Sequence, residues 1–407
     1  MKEVIKIAVV GDIMPSGVLY GSDLNAVQSD VIQDLNQADI RIGNLECALG
    51  PYSDAPHFDP GKMSRLKDIV WAIDEDLERV IKMGFNVLCL ANNHVFDLDR
   101  EGLLHTISQL QKNKIGYCGA GMNINEASKP AIVKIKGKSI AILSFCDFRE
   151  ETVGYVPFAT ETEPGVNPLY PMEYSCAEVK KYKSIYDYVI VVPHWGVEHT
   201  WEATDVVIRD AKLLIEAGAD AIMGGHPHRI QSSFYYKGVP VFPSLGNFFF
   251  PDRWLNKPRP TWYPPKGTNT SKYPRLTGYP WVERPTVKVW PWFGRIGMIA
   301  HIHISGKSLK KAESYVFMTE DNMLQKINEL SSVLPQRVVL RLRLLKLKYK
   351  YPLFNSLLRV IRKMRNTITK AKNKINSAVV KSTRNSSLFR SLVITVAIPF
   401  LKSKWGG

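Results

Sequence analysis

The chain of 407 residues is 45% hydrophobic and 23% charged, ordinary globular proportions that exclude wholesale disorder and allow one large domain with an appendage. Its formal net charge of +16 is unevenly placed: residues 331–407 hold 18 Lys and Arg and no Asp or Glu, leaving 36 basic against 38 acidic residues in 1–330. The chain therefore reads as a near-neutral body, 1–330, followed by a cationic tail, 331–407.

The first residues form a strand-like apolar run at 4–10 and lack the apolar stretch and cleavage site of a signal peptide. Five scattered cysteines without a Cys-x-x-Cys pair suit buried thiols in a reducing compartment, so a cytoplasmic protein is expected. Along the body, predicted strands fall at 5–10, 40–45, 87–90, 132–135 paired with 140–144, 188–192, 221–224 and 239–242. Helical periodicity occupies 24–36, 69–83, 101–113 and 206–217. This alternation predicts an α/β domain with a mixed sheet. Residues 251–295 interrupt it with five of the nine tryptophans and many prolines; this aromatic content argues against disorder and suits either a sugar-containing or polyanionic substrate stacked on indoles or an aromatic plug covering the sheet. A strand pair, 296–304 and 314–318, then closes the body.

The polar motifs gather directly after the apolar runs, where ligand loops of α/β sheets lie. In order they are Gly11-Asp12, Gly43-Asn44-Leu45-Glu46, Ala91-Asn92-Asn93-His94 with Asp97, His194-Trp195-Gly196-Val197-Glu198, Gly225-His226-Pro227-His228 and Ser244-Leu245-Gly246-Asn247. Strand ends lying side by side would bring carboxylates, amides and four imidazoles to one edge, a donor set for zinc, manganese or iron. Two such ions can clamp an in-line displacement at phosphorus. His301 and His303, alternating on a strand, are read as structural, and His199 with Glu198 as candidates to support the site.

These motifs, spanning residues 1 to about 250, resemble the CapA family of capsule and poly-γ-glutamate biosynthesis proteins, within the calcineurin-like metallophosphoesterases. The resemblance implies a four-layer αββα sandwich with one or two divalent metal ions. By position it implies Asp12 and His228 at the first metal, Glu46 as the bridge, and Asn93, His194 and His226 at the second. It places His94 at the substrate as proton donor, with Asp97 as its catalytic companion. Where the superfamily has Asp-x-His, this chain has Asp12-Ile13-Met14, so one imidazole is missing and the first site is weakened. Arg149, Arg229 and Glu198 stand near the motif loops as substrate-binding candidates.

In the tail, apolar residues recur with helical spacing within 353–379 and the other side is basic, as in a helix lying on an anionic membrane surface. The segment 337–351 alternates with period two and leaves its secondary structure open, with Pro335 as a possible helix start. No base-reading module is present, so nucleic acid is not expected as a partner. Two readings follow. The first is a phosphoesterase-type hydrolase held at the inner face of the membrane and acting on a polymer or lipid-linked saccharide. The second is a non-catalytic polymer-binding or scaffold subunit.

Overall fold

The computed structural model describes residues 3–22, 25–51, 69–147, 156–256, 261, 263–264, 273–278, 282–306 and 308–350, with side chains to 345. Two sheets are stacked at its centre. The first runs in the order Leu324–Ile327, Ser308–Met318, Ile296–Ser305, Ile5–Ile13, Ile40–Leu45, Val87–Cys89, Gly116–Cys118, with Asn247–Phe249 pairing onto the end of Ile5–Ile13. Its early strands are parallel, and the late strands 296–327 add to it antiparallel. The second sheet runs Phe234–Tyr236, Val239–Phe242, Ala221–Met223, Tyr188–His194, Lys138–Cys146, Ala131–Ile135. The hairpin at Lys136-Gly137 joins its last two strands, pairing Ile135 with Lys138.

Strand alternation explains the layers. Ile5, Ile7 and Val9 of the first sheet share one core with Ile140, Ile142, Ile190 and Val192 of the second, and that core fills the space between the sheets. Ala8 and Val10 point the other way, into a core with Val31 and Leu35 of helix Ser29–Asn36 and Leu103 and Leu110 of helix Asp99–Lys112. Helices Met172–Lys183 and Asp205–Glu216 contact each other and the second sheet. The result is the four-layer α/β sandwich. Strands buried on both faces are continuous apolar runs, which is why 5–10, 40–45 and 188–192 were legible.

Three segments differ from expectation. Residues 69–83 begin as a short buried strand, Trp71–Ile73, pass through a 3₁₀ turn, Asp74–Asp76, and become α-helical only at Leu77–Lys82; the apolar start packs on every side instead of forming one helical stripe. Helix Met172–Lys183 gave no signal because its buried positions include Ser175 beside Val179 and Tyr182. Within the Trp-rich insertion, Arg253–Leu255, Arg275–Leu276 and Thr286–Lys288 form a small sheet. Trp254, Tyr263 and Val287 pack there on Trp71, so this part covers the body.

The chain divides into two compact units, Met1–Lys346 and Leu347–Gly407. The first unit passes residue 330 because helix Gln336–Lys350 buries Val339, Leu342 and Leu345, the first two of them in the core between the sheets. Pro335 starts it, its carbonyl accepting from the amides of Val338 and Val339. The predicted amphipathic stretch 353–379 lies outside the described residues.

Candidate metal centre

The parallel strands end at one edge, and the loops that follow carry the motif residues. Asp12 closes Ile5–Ile13 in register with Asn44 on one side and Asn247 on the other. Glu46 follows Ile40–Leu45, His194 ends Tyr188–His194, and His226 and His228 follow Ala221–Met223. The last two adopt positive φ, 92° and 51°, a conformation uncommon outside glycine and one that collects at functional sites. The approach between the sheets is close at Gly225, where an added Cβ would stand 2.6 Å from Asp12 Oδ1.

Two sets of donor atoms, each within 4.8 Å of one another, result: Asp12, Glu46 and His228, and Glu46, His194 and His226. They share Glu46. All five residues are buried. Asn44 holds both sets together, donating to Asp12 Oδ1 at 2.8 Å with His194 Nδ1 3.2 Å from the same nitrogen. Asn92 in turn donates to Asn44 Oδ1 and to the Leu45 carbonyl. Asn93 Oδ1 lies 2.7 Å from His194 Nε2. Asn247 Oδ1 lies 2.7 Å from His228 Nδ1, and its amide donates to Gly294 O at 2.7 Å. Asn44, Asn92 and Asn247 lie within the motifs without a role that the sequence alone assigns; their position beside each ligand candidate is the available signal.

Electrostatics separate the members. Burial pushes His194 down to about 4 and His226 well below its ordinary value, keeping both neutral near pH 7, the form that binds metal. Burial, reinforced by the charge of Asp12, raises Glu46 well above the carboxylate range. Burial acts the same way on Asp12 but is outweighed by His228, His194 and Asn44, which hold it at about 2. His228 rises to about 9 against its own burial because Glu46 and Asp12 face it, Asp12 Oδ2 at 3.3 Å. A proton there offsets two carboxylates, as a cation would.

Glu46 tests whether a divalent cation fits. Neither of its buried oxygens accepts a hydrogen bond among the described residues, although His194 Nε2 is 3.4 Å and His228 Nε2 3.6 Å from Oε1. Carboxylates buried without donors are costly, and a divalent cation held by either set would offset the Glu46 charge. Met14 offers no help: it is buried in the outer core, its backbone amide bound to Phe249 O.

The other candidates take separate places. His94 Nδ1 is 2.6 Å from Asp97 Oδ2, which also accepts from the Val70 amide at 2.6 Å. Glu198 is partly exposed, and its charge raises His194, His226 and His228. Arg229 is partly buried against Phe293 and Trp201, neither of which the sequence reading singled out. Arg149 lies outside the described residues. His301 pairs with Ser314 Oγ at 2.8 Å, remote in register from the edge.

Fold and site together define a class: an α/β sandwich with a carboxylate and imidazole cluster at the carboxyl edge of its parallel strands. Residues 6–252 match the family described as bacterial capsule synthesis protein PGA_cap, and the chain belongs to that family. It is 34% identical over 190 residues to the PGA biosynthesis protein CapA of Bacillus subtilis (strain 168), covering 46% of this chain and 49% of that protein. It is also 34% identical over 186 residues to the capsule biosynthesis protein CapA of Bacillus anthracis, covering 45% and 44%. The chain thus spans about half the length of these relatives. Among solved structures, it aligns with a hypothetical protein from Thermus thermophilus at TM-score 0.42 and 14% identity, over 79% of this chain and 99% of that one. A putative 5'-nucleotidase from Staphylococcus aureus aligns at 0.39 and 14%, over 84% and 58%.

Proposed function

We propose that this member of the capsule synthesis family is a metal-dependent phosphoesterase-type hydrolase of capsule, poly-γ-glutamate or other surface-polymer synthesis. The observation that carries the reading is Glu46, buried between two donor sets with no hydrogen bond to either oxygen. Asp12, Glu46 and His228 would hold one divalent ion and Glu46, His194, His226 and Asn93 a second, of manganese, zinc or iron. Bound there, such ions supply Lewis acidity and a nucleophile at neutral pH. The chain's own residues do the remaining work. Asn44, Asn92 and Asn247 orient the ligands before any ion arrives. Asp97 fixes the His94 tautomer with hydrogen on Nδ1, so His94 exchanges protons with the substrate through Nε2.

Elemental analysis after reconstitution with manganese or zinc, together with cleavage of bis(4-nitrophenyl) phosphate, tests this. The expected result is one to two ions per chain and cleavage that His94→Ala and His226→Ala strongly lower. Metal near zero with no such cleavage would leave the scaffold reading, which the replacement of an imidazole by Met14 favours.

For location, no described helix is long and apolar enough to cross a membrane. Helix Gln336–Lys350 leaves Arg337, Leu340, Arg341, Arg343 and Leu344 exposed, opposite its buried stripe. Cations interleaved with exposed leucines suit an anionic membrane surface, and we read this helix as the start of a peripheral anchor on the inner face. Replacing the exposed Leu340, Arg341, Arg343 and Leu344 with glutamine and removing 347–407 together, which leaves the packed turns intact, should move the protein to the soluble fraction; unchanged partitioning refutes the anchor.

A further inference from the structure

A second group of side chains lies next to the cluster and is not used by the chemistry above. Arg229 directly follows His228, and its guanidinium carbon stands 3.6 Å from the centre of the Phe293 ring and 4.9 Å from that of Trp201. Trp201 and Trp292 lie 6.2 Å apart with planes tilted by 31°, and Trp292 meets Phe293 edge-on at 5.5 Å. Trp292 is 43% exposed. The His199 ring joins this group to the cluster, 6.0 Å from Phe293 and 6.2 Å from His228.

Arg229 is the unusual member. Its Nε is buried without an acceptor among the described residues. Arg295, by comparison, has its Nε and both terminal nitrogens bonded, to Trp290 O, Thr319 O and Asp252. Stacking on Phe293 fixes the Arg229 plane and leaves its N–H edge as the binding surface. That edge matches the paired oxygens of a carboxylate or phosphate.

We propose that Arg229, Phe293, Trp201 and Trp292 form a subsite for a sugar ring bearing an oxyanion, a carboxylate or a second phosphate, beside the phosphoester presented to the Asp12–Glu46 cluster. The assignment of the phosphoester rests on the hydrolase reading; the ring and its charge rest on this group alone. Two indoles tilted by 31°, that of Trp292 open to solvent, offer flat apolar faces that the C–H face of a sugar covers. An extended γ-glutamyl chain carries carboxylates but no ring to cover them.

The test is a tryptophan fluorescence titration of the full chain without metal, so that it does not depend on catalysis. The probes are glucose 1-phosphate, glucuronic acid 1-phosphate, glucose 1,6-bisphosphate and a γ-glutamyl tetramer. One or both of the sugars with a second anionic group should bind about tenfold more tightly than glucose 1-phosphate, and which of them does so identifies the oxyanion. Arg229→Met should erase that preference, Arg229→Lys should restore little of it, and Trp292→Ala, at an exposed position, should weaken all three sugars. Equal binding of the three sugars, a preference that survives Arg229→Met, or tightest binding of the tetramer would overturn the proposal. A preference present in a chain that cleaves no phosphodiester would sustain the subsite while removing the hydrolase reading.

Discussion

Asp252 and Glu46 are both fully buried carboxylates in one body, and their surroundings differ in kind. Asp252 has Arg295 Nη2 at 2.7 and 2.8 Å from its two oxygens, Arg275 Nη2 at 3.2 Å and the Trp290 amide at 2.8 Å. Its own backbone amide reaches Asn322 and its carbonyl accepts from Val18. Glu46 has ring nitrogens at 3.4 and 3.6 Å, Asp12 as a like-charged neighbour and no hydrogen bond. A carboxylate that serves the fold is satisfied on every side, whereas one kept for a ligand is surrounded by groups that cannot satisfy it alone. The former locks the turn Trp292–Arg295, and with it Trp292 and Phe293; the latter keeps two acceptor oxygens in reserve at an otherwise packed edge.

The largest expected effect breaks the site. His226→Ala removes an imidazole from the Glu46, His194, His226 set, and should lower phosphodiester cleavage on the order of 10³-fold, with elemental analysis showing loss of one ion per chain. Next comes the fold. Asp252→Asn leaves Arg295 buried without its counter-charge and should cost about 3 kcal/mol in denaturant unfolding, with a fluorescence shift as the Trp292 turn loosens. Asn44→Ala keeps every ligand but removes the amide that bridges Asp12 and His194, so metal affinity measured by competition with a chelator should fall about 10- to 100-fold.

These residues were not equally visible in the sequence. Asp12, Glu46, His194, His226 and His228 were legible because each follows an apolar run, and parallel strands must end side by side. That Glu46 is shared between two sets is a matter of distances, which no spacing encodes. Asp252 and Arg295 sit in the Trp-rich insertion, where periodicity is absent, and their pairing joins residues 43 positions apart. The Arg229 group is likewise assembled from three segments, around 201, 229 and 293. Its cation stands in plain view beside the motif, but its partners are hidden among other aromatics. Helix Gln336–Lys350 was ambiguous for a different reason: its exposed leucines blur the period of its buried ones.

The smallest effect is also the one that separates the two carboxylates by sign. Glu46→Gln preserves volume and removes a charge that burial and Asp12 both oppose. Its new amide can donate to Asp12, which Glu46 in its ionised form cannot do. In metal-free protein the variant should therefore gain about 1 kcal/mol over the parent, while Asp252→Asn loses stability under the same conditions. Added manganese or zinc should reverse the order, because an ion that binds only the folded parent stabilises it by mass action and the variant has lost the shared ligand. Thermal unfolding of both proteins with and without metal reads this directly. If Glu46→Gln is destabilising without metal and indifferent to its addition, Glu46 is a structural carboxylate like Asp252, and the edge is not a metal centre.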